Sequence, residues 1–254
     1  MSVTQTKLQN LAITESSGVC RSIRFPGVLY THNDSGSVPA FFAFDKTGAD
    51  LATFKLGIKG VDCEDCSSAI VNGVPTLILA DVGDNNVVRT AYNIYVVTEP
   101  ETLTTGTLTA KVITFRYPDG KKRNCESCAL LPDGSIILVT KSYPALSGPT
   151  TVFTIRSWLS GDANVTVTAG PVVNTAYKTI TSMDVRDDLM VLMGNGRATI
   201  FPVNDWVHAS RSITMPKCNQ PEAICFSDDG LSLWMTSETD KSPGAQTPLF
   251  NITL

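Results

Sequence analysis

Hydrophobic residues run along this chain in short blocks rich in Val, Ile, Thr and aromatic side chains. Examples are 27–30, 41–44, 76–80, 92–97, 112–115, 136–139, 152–155, 189–193 and 231–235. Turn formers fall between them, as at 33–36 (Asn-Asp-Ser-Gly), 119–120 (Asp-Gly), 132–134 (Pro-Asp-Gly) and 228–230 (Asp-Asp-Gly). Blocks of this kind, bounded by such turns, are strands. No window carries the 3.6-residue period of a long amphipathic helix. The pattern predicts an all-β chain.

A repeat narrows the architecture. Five segments begin with an acidic residue and run through small or apolar positions into a strand: Glu15, Glu64, Glu126, Asp184 and Glu222. The spacings between them are 49, 62, 58 and 38 residues, a mean period of about 51 when the circle is closed over the 254-residue chain. Units of this length, each made of four short strands, predict a five-bladed β-propeller formed as one domain over residues 1–254. A two-sheet sandwich would explain the alternation but not five acidic residues at one repeat phase. In a propeller, the connection entering the innermost strand and the loop between the second and third strands open on the same face. The acidic residues are therefore expected at one channel mouth. The ends of the second strands join them there, supplying His32, Asn33, Asp34, Asp81, Asp84, Lys141, Asn195 and Glu238.

Charge removes several functions. Twenty Lys and Arg against 24 Asp and Glu leave a net charge of −4. Without a basic excess, nucleic-acid binding is not expected. The apolar runs fall far short of the roughly 20 residues of a spanning helix, so no membrane insertion is expected. The first 15 residues lack the basic and apolar regions of a signal peptide. The compartment stays open, and the chain is expected to be a monomer.

The motifs also point to a family. Glu15-Ser16-Ser17-Gly18, the stretch from Phe25 to Gly36 containing Thr31-His32-Asn33-Asp34-Ser35-Gly36, and Asp81-Val82-Gly83-Asp84-Asn85 resemble a widespread group of bacterial propeller proteins of mostly unknown activity. Asp62-Cys63-Glu64-Asp65 looks like that group's Asp-Trp-Glu-Asp motif, with Cys63 in place of Trp. Phe115–Gly120, Val139-Thr140-Lys141 and 220–224 (Gln-Pro-Glu-Ala-Ile) extend the likeness over nearly the whole chain. The group is similar in turn to TolB-like, esterase-like phytase and regucalcin-type propellers. That likeness implies a divalent cation in the channel mouth, and the resembling proteins are often secreted.

The acidic ring carries the candidate chemistry. Carboxylates roughly 6–8 Å apart repel by about 2–3 kcal/mol per pair at an effective dielectric near 20. Such a ring must stay partly protonated or hold a cation. Glu15, Glu64, Glu126, Asp184 and Glu222 are the candidate ligands, and hard oxygen donors favour Ca²⁺ or Mg²⁺. The competing reading is a wet channel whose carboxylates cap loop amides. Asn33, Asp34, Asp81, Asp84, Asn195 and Glu238 are candidate contacts to a small-molecule or glycan ligand, against a plain turn-forming role.

Glu64 and Glu126 are candidate bases, His32 a candidate mouth histidine, and Lys141 either an anion anchor or an ion-pair partner of the ring. No Gly-x-Ser-x-Gly elbow is present. Cys63-x-x-Cys66 and Cys125-x-x-Cys128 have zinc-ligand spacing, but each pair brackets a repeat Glu. Packed thiols are favoured over disulfides, and zinc comes last. Two sequons, at Asn164 and Asn251, are short enough to arise by chance.

Two readings of function stay open. One is a metal-dependent hydrolase of a phosphate ester, lactone or glycan. The other is a non-catalytic propeller that binds a ligand or a protein, its channel purely structural.

Overall fold

The computed structural model describes residues 2–36, 38–141, 150–159, 166–172, 179–239, 242 and 244–254. The first strand, β1 (Val3–Lys7), belongs to the last blade of the ring. Blade one contains β2 (Ser16–Arg21), β3 (Val28–Asn33), β4 (Ala40–Asp45) and β5 (Asp50–Lys55). Blade two contains β6 (Cys63–Val71), β7 (Val74–Asp81), β8 (Tyr92–Thr98) and, after the two-residue β9 (Gly106–Thr107), β10 (Lys111–Phe115). Blade three is β11 (Cys125–Leu130), β12 (Ile136–Thr140), β13 (Thr151–Arg156) and β14 (Thr166–Val172). Blade four is β15 (Ile180–Arg186), β16 (Leu189–Gly194), β17 (Arg197–Pro202) and β18 (Arg211–Thr214). Blade five is β19 (Pro221–Phe226), β20 (Ser232–Ser237) and β21 (Pro248–Thr253), completed by β1.

The antiparallel pairing of β1 with β21, Val3 opposite Ile252, locks the two chain ends into one sheet. The five sheets form the ring of a five-bladed β-propeller, with the innermost strands β2, β6, β11, β15 and β19 packed in sequence around the axis. β9 pairs in parallel with β5 and covers the outer edge of blade one.

The core lies between the blades. Each of five apolar clusters fills one gap between neighbouring sheets. Leu77 and Leu79 face blade one, while Ile78 and Ala80 face blade three. Both faces of an inner strand are thus buried, which is why the apolar runs are continuous rather than alternating.

The innermost strands present an unpaired edge to the channel, and buried N–H groups there need partners. Side chains from neighbouring blades supply them. Asp65 accepts from the backbone N–H groups of Cys66 (2.9 Å), Cys128 (2.9 Å) and Met183 (3.2 Å), and from the Ser182 hydroxyl (3.3 Å). Ser67 accepts from Leu130 N, Ser182 from Ile224 N, and Asp184 from Phe226 N. The carboxylate of Asp65 ties three blades together across the axis.

All seven cysteines are free thiols, and six of them are buried. Packing explains the two Cys-x-x-Cys pairs. Asn251 lies within β21 and donates its amide to Ser232, so it is a sheet residue, while Asn164 lies outside the described residues.

Candidate metal centre at the channel mouth

Every innermost strand enters its blade through a register shift: between Ser16 and Gly18, Cys63 and Asp65, Cys125 and Cys128, Ile180 and Ser182, and Pro221 and Ala223. A bulge re-aims the residue it carries. The residues at these irregularities are Ser17, Glu64, Glu126 with Ser127, Thr181 and Glu222, and three of them carry carboxyl groups.

This register corrects the expected ring at two positions. Glu15 sits two residues before the bulge and borders a rim cavity beside Glu238 and Thr239. Asp184 lies three residues beyond Thr181, deeper in the channel, where it pairs with Arg21 at 3.0 Å. Any acidic residue near a strand start satisfies an approximate repeat, and only the bulge position distinguishes them.

The mouth forms a cavity of about 410 Å³ lined by Ser17, Asp34, Glu64, Asn85, Glu126, Lys141, Gln220, Glu222 and Glu238. At its blade-one and blade-two side, carboxylate oxygens of Asp34, Asp62 and Glu64 lie within 4.8 Å of one another. Asp62, two residues before Glu64, is the ligand candidate that sequence reasoning quoted in a motif without assigning to the site. Glu64 is 5% exposed, and among the described residues no donor comes within hydrogen-bond distance of its carboxylate. Asp34 accepts from Ser35 N at 2.5 Å.

The surrounding loops are braced by their own carboxylates. Asp81 accepts from Val61 N (3.2 Å), Asp62 N (3.0 Å) and the Tyr95 hydroxyl (2.5 Å), and pairs with Arg89 at 2.8 Å. Asp84 accepts from Val88 N, Arg89 N and the Tyr92 hydroxyl. These bonds use the oxygens that a ligand would need, so Asp81 and Asp84 organise loops rather than face the mouth. Between them Gly83 donates its N–H to Asp62 O and leaves room for the carboxylates of Glu64 and Asp62, which a β-carbon would displace. Val87, in the same loop, has φ of 54°, a strained left-handed conformation for a β-branched residue.

The other sequence candidates divide. Lys141 pairs with Glu126, which also accepts from Asn124 at 3.0 Å. Burial disfavours the Lys141 ammonium, but Glu126 outweighs it and holds its pKa above the usual value. Asn33 spends its amide on Thr14 N, Glu15 N and Ala12 O, tying the connection from blade five to blade one. Asn195 is an exposed turn residue with φ of 51°, bonded to the Thr179 hydroxyl. His32 is fully buried, its Nε2 pressed over Gly18 without a partner, and burial pushes its pKa down to about 4. It therefore stays neutral and away from the mouth solvent. The other histidine, His208, is exposed beside Asp205.

Electrostatics single out the same region. Burial, reinforced by Asp62, pushes the Asp34 carboxyl up to about 7. Glu64 is raised well above its ordinary range by burial and then by Glu126, Asp34 and Asp62. Burial also raises Glu222 to about 7, against the opposing pull of Gln220.

Comparison with known proteins adds the fold alone. Neither a protein-family model nor a curated protein sequence matches the chain. Among solved structures, a luciferin-regenerating enzyme superposes with a TM-score of 0.58 at 9% identity, covering 100% of this chain and 96% of that one. A chain of a nidogen–laminin complex gives 0.50 at 12% identity, covering 89% and 73%. Both neighbours are β-propellers. No described helix is long and apolar enough to cross a membrane.

Proposed function

We propose that the channel mouth is a divalent-cation centre held by Asp34, Asp62 and Glu64, and that the chain uses it for hydrolysis. Glu64 carries this reading. A buried carboxylate to which no described residue donates, facing two more carboxylates, is the arrangement that a cation relieves. Hard oxygen donors suit Ca²⁺ or Mg²⁺ rather than Zn²⁺. The likeness to phytase-type and regucalcin-type propellers in the sequence motifs points the same way.

A cation bound here supplies Lewis-acid polarisation of a ligand oxygen and a more acidic bound water. The chain's own groups then divide the work. Gly83 keeps the carboxylates of Glu64 and Asp62 together, and the Asp81–Arg89 pair fixes the loop that carries Asp62. Glu126, held by Lys141 and Asn124, stays oriented as a fixed negative wall. Glu222 lies in the same cavity outside the cation set, and its pKa of about 7 suits a general base at neutral pH. Of the sequence-derived catalytic candidates, Glu64 becomes a ligand, Lys141 and Glu126 a positioning pair, and His32 a core residue.

The test is metal analysis of the purified chain, followed by a broad hydrolase screen with and without chelator. About one Ca²⁺ or Mg²⁺ per chain and chelator-sensitive turnover are expected. Turnover that ignores chelator would overturn the metal-assisted reading.

A further inference from the structure

We infer that a basic strip on the rim of the mouth docks an acidic glycan, a chain whose carboxylates are spaced along hydroxyl-bearing units, and that this glycan is the substrate class of the site. The assignment as substrate rests on the cation centre proposed above, whereas the docking does not. The strip is the connection from β10 to β11, together with the loop from β7 to β8 that it leans on, and both open on the mouth face. Residues 116–123 carry four cationic side chains against one acidic one, in a chain whose net charge is −4. Arg116, Lys121 and Lys122 are exposed. Arg123 takes the one carboxylate, Asp119, at 2.6 Å, and none of the other three has an ion-pair partner among the described residues. Residues 142–149, which follow Lys141 and lie outside the described residues, include no Asp or Glu that could pair with them.

Two of the three charges are held in place. Arg116 Nε donates to Thr90 O at 3.0 Å, and Lys122 Nζ donates to Val88 O at 2.9 Å. Those carbonyls are two residues apart, a span of at most about 7 Å, so the two charges sit together on one loop. The Arg123 guanidinium packs over the Tyr117 and Phe153 rings, which anchors the connection. Asn124 then joins the strip to the mouth. Its amide donates to Asn85 and to Glu126 at 3.0 Å, and both of these line the cavity.

An anionic chain is what such a strip attracts, and the acidic mouth beside it restricts the kind. Past the strip, the chain meets a cavity to which Asp34, Glu64, Glu126, Glu222 and Glu238 contribute carboxyl groups. A nucleic acid strand carries a phosphate at every unit, one charge per roughly 3.4 Å, so the part over the mouth would meet like charge. A uronate glycan separates its carboxylates by a sugar or more. It sets them on Arg116, Lys121 and Lys122 and turns hydroxyls to the mouth, where ionised carboxylates accept from donors. A Ca²⁺ ion there takes further sugar oxygens to complete its usual set of about 6–8 ligands. Exposed ion pairs are individually weak and are screened by salt, so the docking is additive over the strip and salt-sensitive.

The experiment is fluorescence anisotropy of the full chain with labelled galacturonate and hyaluronan hexasaccharides. Maltohexaose is the neutral control, and a single-stranded oligonucleotide of matched length is the denser polyanion. In chelator and at low salt, at least one uronate probe should bind saturably, about tenfold or more tighter than either control. That affinity should fall by about threefold or more when ionic strength rises from about 0.05 to 0.3 M. Lys121→Glu should weaken it by about threefold or more, and Lys121→Glu with Arg116→Gln by about tenfold, with melting midpoint and Ca²⁺ affinity unchanged. No saturable uronate binding overturns the inference. So does a control that binds equally well, or an affinity that ignores Lys121→Glu. Calorimetry with Ca²⁺ separates the two claims. A chain that holds Ca²⁺ and fails these titrations keeps its cation centre and loses the strip. A chain that passes them in chelator but takes up no Ca²⁺ keeps the strip, and the assignment of the glycan as substrate falls with the centre.

Discussion

A β-carbon at Gly83 would collide with Oε1 of Glu64, so the carboxylate keeps its place because position 83 is glycine. The same β-carbon would strike Oδ2 of Asp62. A glycine that is needed for two carboxylates, and not for a left-handed turn, ties this loop to the acidic cluster.

Gly83→Ala should therefore act on the site more than on the fold. The displaced atoms are the ends of flexible side chains, so the melting midpoint should move by only a few degrees. Cation affinity should fall by about tenfold or more, corresponding to at least about 1.4 kcal/mol. Calorimetric titration of both proteins with Ca²⁺ and Mg²⁺ checks this.

Asp65 predicts the opposite balance. Its carboxylate accepts four hydrogen bonds and joins three blades. Asp65→Ala leaves buried N–H groups unmet and should lower unfolding free energy by about 3–5 kcal/mol. Urea unfolding gives the number, and a loss under about 1 kcal/mol would show that the axis tolerates the gap.

The raised carboxyls set the pH dependence of the cation-free chain. Asp34 and Glu222 sit at about 7 when folded, against roughly 4 in an unfolded chain. The folded state therefore holds protons that the unfolded state releases. This stabilisation is complete below about pH 4 and is lost as pH rises through about 7. With chelator present, the melting midpoint should fall steadily from pH 5 to pH 8. Saturating Ca²⁺ should flatten that slope, because it favours the ionised carboxylates.

The thiols give a test of the core. Six of seven cysteines are buried and none is bonded, and burial raises the Cys66, Cys128 and Cys225 thiols well above their usual range. Reductant should leave the melting midpoint unchanged. A thiol reagent should label about one group per native chain, at half-buried Cys218, and seven after unfolding.

Much of the fold was legible in the sequence because burial on both sheet faces writes itself as short continuous apolar runs. Turns such as Asp228-Asp229-Gly230 mark the ends of those runs, and the recurrence of the unit marks the ring. The closing strand β1 was not legible, since the alternation of Val3–Lys7 has no signal of its distant partner β21. At the mouth, Glu64, Glu126, Glu222 and Asp34 could be found from repeat phase and second-strand ends. Glu15 and Asp184 were misplaced because an approximate repeat accepts any acidic residue near a strand start, and no residue type announces the bulge that lies two residues after Glu15 and three before Asp184. Asp81 and Asp84 looked like ligands because carboxylates that hold loops and carboxylates that hold metals have the same spelling. What separates them is which oxygens are already bonded, and that is a property of three dimensions.

The central claim is that Asp34, Asp62 and Glu64 hold a divalent cation, and thermal melting of the parent chain and Glu64→Gln with chelator and with Ca²⁺ tests it most directly. A cation at 100 times its dissociation constant stabilises the native state by about 2.7 kcal/mol. For a domain of this size that is a midpoint rise of about 5–10 °C. The parent should show that rise, and Glu64→Gln should lose most of it. In chelator at alkaline pH the variant should melt slightly above the parent, because it removes the cost of ionising a buried carboxyl beside Glu126, Asp34 and Asp62. Identical midpoints with and without Ca²⁺, in both proteins, would contradict the cation centre and leave the mouth a wet lining of the channel.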